Sequence, residues 1–336
     1  MSKKYQVIVL GAGGTGTYFL KEFTRYLAHS KRGCSIIEHL LIIDGDLVEA
    51  KNLSRQSYIL DDVGENKAII MADVLNSSFL EEHSLKWLAY DKYITSTTQL
   101  LNLISKDNIP ILISCVDNHA CRLLCEDIYN VLSSCIYFDA ANEFSSGEVV
   151  FSYKLDDVVY SPCRSFFFPD ILDSTKSVVE MSCTELNNVE PQHIVTNMFA
   201  GVLLFSGMKE IIENNNYLKG YTTFSTVTLS SEFIDYLDFA KNSFYSSYFQ
   251  IDAISFNEKY QELSVSFIEE KNILYSIMEN TKTKERVLSV YLNTRWSSNV
   301  HVLDEKDTIS KISYVSSEQI DITLQSNTDI IVSFTH

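Results

Sequence analysis

The chain opens on an apolar run, Tyr-Gln-Val-Ile-Val-Leu at 5–10, which predicts a strand buried on both faces. Residues 14–30 then place Phe19, Leu20, Phe23 and Leu27 on one stripe, the spacing of a helix with one buried face. The alternation continues. Buried strands are predicted at 39–43, 87–93, 111–115 and 135–139, with helices at 66–75, 97–105 and 118–132 between them. Strands that take turns with helices predict an α/β fold: a doubly wound, Rossmann-like, mostly parallel sheet with helices on both faces.

After residue 140 the period changes. Residues 147–153 alternate apolar and polar, as an antiparallel strand does. Residues 154–188 hold no clear period, and Pro162, Pro169 and Pro191 lie in or just after them. This reads as a long crossover loop, and long loops inside a domain tend to carry function. A long apolar helix is expected at 192–214. From Tyr221 onward there is no Gly and no Pro, and period-two segments recur at 263–268, 286–292, 312–315, 320–324 and 329–334. The expected organisation is an α/β domain over 1–230 and an additional β-rich C-terminal module over 245–336.

Composition narrows the function. The formal charge of −17, with only Lys3-Lys4 and Lys31-Arg32 as adjacent basic pairs, disfavours a nucleic-acid partner. The longest apolar runs, such as 109–115, are too short to span a bilayer, and a strand and Gly-rich turn stand where a signal peptide would have its apolar core. A cytoplasmic protein with no membrane partner is expected. The cysteines number seven, no Cys-x-x-Cys occurs, and Cys121 and Cys125 meet no answering pair, so neither a disulfide framework nor structural zinc is expected.

The chemistry-bearing residues come early. Gly11, Gly13, Gly14 and Gly16 lie between the first strand and the first helix. Such a turn brings backbone N–H groups and the helix dipole to a bound phosphate. Alone it suits NAD, flavin or ATP equally. Asp44 and Asp46 close the second strand, and Asn52, Arg55, Gln56 and Lys67 follow. An acid at that strand end holds a ribose, while Asn, Arg and Lys suit a triphosphate. An NAD-dependent oxidoreductase would explain the glycines and Asp44, but gives no reason for Asn52, Arg55, Lys67 and Asp117.

The motifs Gly11-x-Gly13-Gly14-x-Gly16, Asp44-x-Asp46-x-Val48-Glu49-x-x-Asn52-Leu53-x-Arg55-Gln56, Gly64-x-x-Lys67 and Ser114-Cys115-Val116-Asp117-Asn118 together resemble the ThiF/HesA/MoeB family, bacterial relatives of ubiquitin-activating enzymes. The resemblance covers roughly 5–210. It implies ATP- and Mg²⁺-dependent adenylation of the C-terminal carboxylate of a small ubiquitin-like or sulfur-carrier protein, and a homodimer. Asp44 would bind the ribose, Asn52, Arg55 and Lys67 the phosphates, and Asp117 the Mg²⁺. Gly147 would let the substrate's tail approach. Cys183 matches the family's Cys-Thr segment, where a thioester can form; a small buried residue is the other reading. The family's paired zinc cysteines reduce here to Cys163. Its N-terminal Arg-bearing helix is expected to be absent, because the chain begins four residues before the first strand. A non-catalytic scaffold of the same fold, or a relative that adenylates tRNA, are the other classes; the −17 charge disfavours the second.

Overall fold

Val7, Ile8, Val9 and Leu10 are buried because strand β1 (Tyr5–Leu10) runs down the middle of a sheet and is covered on both faces. The structure is a computed structural model and describes residues 3–173, 192–240, 260–268, 273–292, 295–297, 301–304, 306–316 and 319–334. Helix α1 (Gly14–His29) follows β1 and turns Phe19, Leu20, Phe23 and Leu27 inward. Burying each such side chain stabilises by about 1.5–3 kcal/mol. Helix α2 (Lys31–Ile36) is capped by the Ser30 side chain, which accepts from Gly33 N.

Next come β2 (Ile37–Ile43), α3 (Lys67–Phe79), β3 (Trp87–Tyr90), α4 (Thr97–Leu103), β4 (Ile109–Ser114), α5 (His119–Val131) and β5 (Cys135–Asn142). The chain continues through β6 (Ser146–Leu155), the short strand β7 (Val158–Ser161), the single turn α6 (Arg164–Phe167), α7 (Ile194–Lys209), β8 (Gly220–Ser225) and β9 (Ser230–Asp235). Eight of the strands line up in the order β3-β2-β1-β4-β5-β6-β8-β9. From β3 through β5 they pair parallel, and β6, β8 and β9 pair antiparallel. The chain order reverses on either side of β1, so the C-terminal ends of β1, β2 and β4 open one crevice, the place where ligands bind in open α/β sheets.

The α/β fold with a mostly parallel central part agrees with the sequence reading. The stretch 154–188, expected as loop, holds β7, α6 and a 3₁₀ turn at Pro169–Asp173. The crossover's remainder, with Cys183 and Pro191, lies outside the described residues.

Chain contacts divide the molecule into two units: residues 1–157 with 161–235, and 158–160 with 236–336. The second is β-rich. In it β10 (Tyr260–Ile268), β11 (Ile273–Asn280), β12 (Arg286–Leu292), β13 (Arg295–Trp296) and β14 (His301–Leu303) form one antiparallel sheet. A second antiparallel sheet holds β15 (Ile309–Ser316), β16 (Gln319–Leu324) and β17 (Asp329–Ser333). Ile277, Leu288, Val290, Ile320, Ile322 and Val332 share a core drawn from both sheets.

Candidate functional site

The Gly-rich turn is shaped by two crowded approaches. Gly11 sits at φ +92°, a conformation that favours glycine. Its N–H donates to Ile43 O at 2.9 Å, and a Cβ on it would stand 2.8 Å from Cys115 O. A Cβ on Gly16 would overlap Gly11 O. The turn is thereby folded tightly between the ends of β2 and β4. Gly13 is the N-cap of α1 and supplies no side-chain cap. The first N–H groups of that helix have no intrahelical partner and form the positive end of its dipole.

Asp44 ties this turn to the end of β2. Its Oδ2 accepts from Ala12 N at 2.7 Å and its Oδ1 from Asp46 N at 2.8 Å. Burial, reinforced by the nearby charge of Asp46, pushes its carboxyl up to about 6, even though Lys67 and the two N–H bonds pull the other way. Asp46 is engaged differently. It takes Lys67 Nζ at 2.9 Å on Oδ2 and the Tyr93 hydroxyl on Oδ1. Burial acts to raise its pKa, but Lys67 and Tyr93 outweigh that and hold it below the usual carboxylate range. Lys67 is buried as the first residue of α3 and pairs with the partly exposed Asp46. Asn66 caps α3 through Ala68 N and Ile69 N, and its Nδ2 donates back to the carbonyls of Asp44 and Asp46.

The segment from 47 to 66 folds over the turn. Val48 N donates to Glu65 O at 2.8 Å, and Gly64 N to Val48 O at 2.9 Å. A 3₁₀ turn, Ala50–Asn52, buries Asn52, whose Oδ1 accepts from Glu49 N at 2.8 Å. Arg55 is half-buried and its guanidinium has no ion pair among the described residues. Gln56 is buried. Its Nε2 is the group nearest the open side of Gly13, 3.8 Å from where a Cβ would stand, and its Oε1 has no hydrogen-bond partner. Tyr58 holds the turn from below, donating to Ala12 O at 2.6 Å.

Beyond β4 the chain passes Cys115 and Val116 to Asp117, which is exposed on a bend just ahead of α5. Asn118 caps that helix, accepting from Cys121 N at 2.8 Å. The bend is anchored by a network that the sequence reading missed. Arg122 donates through Nη2 to Val116 O at 2.7 Å and Ala140 O at 2.9 Å, and through Nε to Asp139 Oδ1 at 3.1 Å. Arg164 pairs with the other oxygen of Asp139 and reaches Glu148 Oε1 at 2.6 Å. Asp139 is fully buried, which would raise its pKa; Arg164 and Arg122 together hold it below the ordinary range. An Asp inside the apolar run Cys-Ile-Tyr-Phe-Asp-Ala was the available signal, since a buried charge needs a paired partner.

The structure therefore gathers Gly11, Gly13, Gly14, Gly16, Asp44, Asp46, Gln56 and Lys67 around one turn through direct contacts, and sets Asp117 on the loop that abuts it. Asn52 has a local capping bond there. Cys183 lies outside the described residues. Gly147 is corrected: it is paired to Asn142 on one side and Phe224 on the other, and a Cβ would stand 2.6 Å from Ala141 O and 2.7 Å from the Phe224 ring. The glycine makes room for the sheet's own neighbours, and β6 is paired on both sides there among the described residues. Among the described residues no cluster of three or more His, Cys, Asp or Glu is placed to hold a metal.

The profile of the ThiF family matches residues 2–272. Among solved structures, E. coli MccB with MccA-N7isoASN is 18% identical with a TM-score of 0.51, covering 68% of this chain and 63% of that one. E. coli MccB with ATP is 19% identical with a TM-score of 0.50, at 68% and 63% coverage. The selenomethionine form of PaaA is 20% identical with a TM-score of 0.49, at 69% and 64% coverage. The chain thus spans less than two thirds of the length of these structures, and at such identity the likeness is one of fold. The curated proteins give no match.

Proposed function

The chain belongs to the ThiF family, and from that premise we propose that it is an ATP-dependent adenylyltransferase. It would act on the C-terminal carboxylate of a small ubiquitin-like, sulfur-carrier or peptide partner. The observation that carries this reading is Lys67: a buried cation one ion pair away from the strand end whose Asp44 is bonded to the Gly-rich turn. A buried cation beside a ribose-and-phosphate site suits the highly charged triphosphate better than the less charged pyrophosphate of a nicotinamide cofactor.

In this proposal Asp44 accepts the ribose hydroxyls, and the first turn of α1 offers its N–H groups to the phosphates. Lys67, Arg55 and Asn52 hold the β- and γ-phosphates. Asp117 fits Mg²⁺ that arrives with the nucleotide. It is an exposed carboxylate with no hydrogen bond or ion pair among the described residues, and Mg²⁺ commonly takes one or two carboxylates plus phosphate oxygens and water. When bound, the ion would neutralise charge at the α/β-phosphates. The substrate carboxylate oxygen attacks the α-phosphorus, a new P–O bond forms, and the bond to the bridging oxygen breaks. Pyrophosphate leaves and an acyl-adenylate remains. No enzyme nucleophile is needed at this step.

The second step is also part of the proposal: transfer of the acyl group from AMP to Cys183 Sγ. A Cys183→Ala chain should then keep adenylation and lose a thiol-reducible partner band on a non-reducing gel; a persisting band sinks that role. A homodimer in the cytoplasm, without zinc, completes the reading. The deciding experiment is ATP–pyrophosphate exchange with the partner present, alongside calorimetry against ATP·Mg²⁺ and NAD. Exchange should appear in the wild type. It should fall on the order of 100-fold or more in Asp117→Ala and Arg55→Ala, the effect of losing about 3 kcal/mol of charge stabilisation. Binding of NAD without ATP would overturn the proposal.

A further inference from the structure

Asn197 lies in the first turn of α7, far in sequence from every residue assigned to the nucleotide, yet it is 0% exposed and packed onto the start of α1. Its Oδ1 accepts from Asn142 Nδ2 at 2.7 Å and lies 3.5 Å from Thr15 Oγ1. Thr15 Oγ1 also reaches Asn142 Oδ1 at 3.1 Å, so Thr15, Asn142 and Asn197 form one cluster. The other end of the carboxamide is the informative one. Asn197 Nδ2 is buried, has no hydrogen-bond partner, and occupies the space that a Cβ on Gly14 would need. A buried N–H left without an acceptor is uncommon in folded proteins.

A second carboxamide approaches the same helix start, with its N–H end toward the helix. Gln56, 9% exposed, brings Nε2 toward Gly13 and leaves Oε1 without a partner. The 16-residue helix α1 has no acidic residue in its first turn and no side-chain cap. Backbone N–H groups and the helix dipole thus meet one carboxamide beside Gly13 and another against Gly14, and none of these groups carries a formal charge. The neighbouring residue Ala12 donates its N–H to Asp44, the ribose end of the site.

We infer that Asn197 is a ligand of the nucleotide: its amide N–H, held against Gly14, completes a neutral anion site at the start of α1 that holds the α-phosphoryl group. This inference rests on the proposed nucleotide reading and adds a division of labour to it. The α-phosphorus is one bond from the ribose 5′ oxygen, so the anion site next to Ala12 and Asp44 is its place. The cations Lys67 and Arg55 serve the phosphates that leave. After pyrophosphate departs, the acyl-adenylate keeps a singly charged phosphoryl group, and neutral donors match it without holding the departing anion.

The test compares AMP with adenosine, which differ only by that phosphoryl group, by calorimetry on the full-length chain. The wild type should bind AMP at least tenfold more tightly than adenosine. Asn197→Asp, equal in size but repelling an anion, should close that gap and leave adenosine affinity within twofold. Asn197→Ser removes the amide N–H without adding charge and should narrow the gap in the same direction; it decides the matter if Asn197→Asp fails to fold. A gap unchanged in the folded variants, or equal loss of AMP and adenosine, overturns the ligand role and makes Asn197 a packing residue. A wild type that binds adenosine and AMP equally overturns this inference but leaves the nucleoside pocket standing. A wild type that binds neither overturns the nucleotide reading, and this inference with it.

Discussion

Asp44 is the residue whose titration should be visible. Its carboxyl is pushed up to about 6, chiefly by burial. Ribose hydroxyls donate hydrogen bonds, so they favour the ionised form. The sign follows: affinity is full above pH 6, where Asp44 is charged, and weakens as the pH falls through 6 and the carboxyl protonates. Adenosine is the right probe because it has no phosphate to titrate in the same range. Its affinity should fall roughly tenfold per pH unit below about 6. Asp44→Asn should bind weakly and show no such slope; a flat wild-type profile from pH 5 to 8 would remove Asp44 from the ribose. The residues this chemistry uses were legible because their charges and spacing sit within one stretch of sequence. Asn197, Asn142, Arg122 and Asp139 were not. Thr15 and Asn197 meet across a separation of 182 residues, and no local pattern reports such a meeting. Gly147 shows the converse fault: a glycine read as room for a ligand is room for Phe224.

At the scale of elements, periodicity identified β1, α1, α3, α5 and α7 because each carries a long apolar signal. It missed α2, whose Lys-Arg-Gly-Cys-Ser-Ile has too little length for a helical period and a glycine inside. It missed β8 and β9 as well. β9 is an edge strand, exposed over Ser230–Phe233, so it has no alternating burial to announce it. The intervening turn places Leu229 at φ +53°, where Gly or Asn would have been the usual signal. In the second unit β11 was passed over, although Ile273, Leu274, Ile277 and Met278 are buried. Its buried apolar residues come in adjacent pairs, which break a strict period of two. The element most exposed to experiment is α3. Asn66 both caps it and bonds the carbonyls of Asp44 and Asp46. Asn66→Ala should cost about 1–2 kcal/mol of stability from the lost cap. It should also weaken ATP binding, because the strand end is no longer held. Urea denaturation and calorimetry on one preparation check both; lost stability with unchanged ATP affinity would confine Asn66 to capping.

At the scale of the whole molecule, the two units differ in composition and in the distribution of assigned chemistry. Every residue given a phosphate, ribose or metal role lies in the first unit, whose buried side chains include Phe19, Phe23, Trp87 and Tyr137. The second unit has its own core and exposes Val302, Tyr314, Val315 and Ile331. Aromatic and apolar anchors of this kind are suited to protein contact, and we propose that this unit recognises the carrier or peptide partner. A chain that stops after residue 240 should bind ATP and fail to adenylate the partner. A truncated chain that precipitates or loses ATP binding would assign the second unit to structural support. The expected boundary near 215–245 rests on an absence alone, the end of Gly and Pro after residue 220. What the module's strands pair with was not legible, because sheet order is set by contacts between segments that have no common sequence pattern.

The packing of α7 on α1 also has a consequence for synthesis on the ribosome. The motif residues all emerge within the first 118 positions, but Asn197 and Gly201, which close against Gly14 and Phe19, come about 80 residues later. At ~5–20 residues per second that is a delay of roughly 4–16 s during which α1 lacks its cover. Nascent chains arrested before residue 200 should therefore expose the apolar side of α1 to chaperones, and chains arrested well beyond α7 should not.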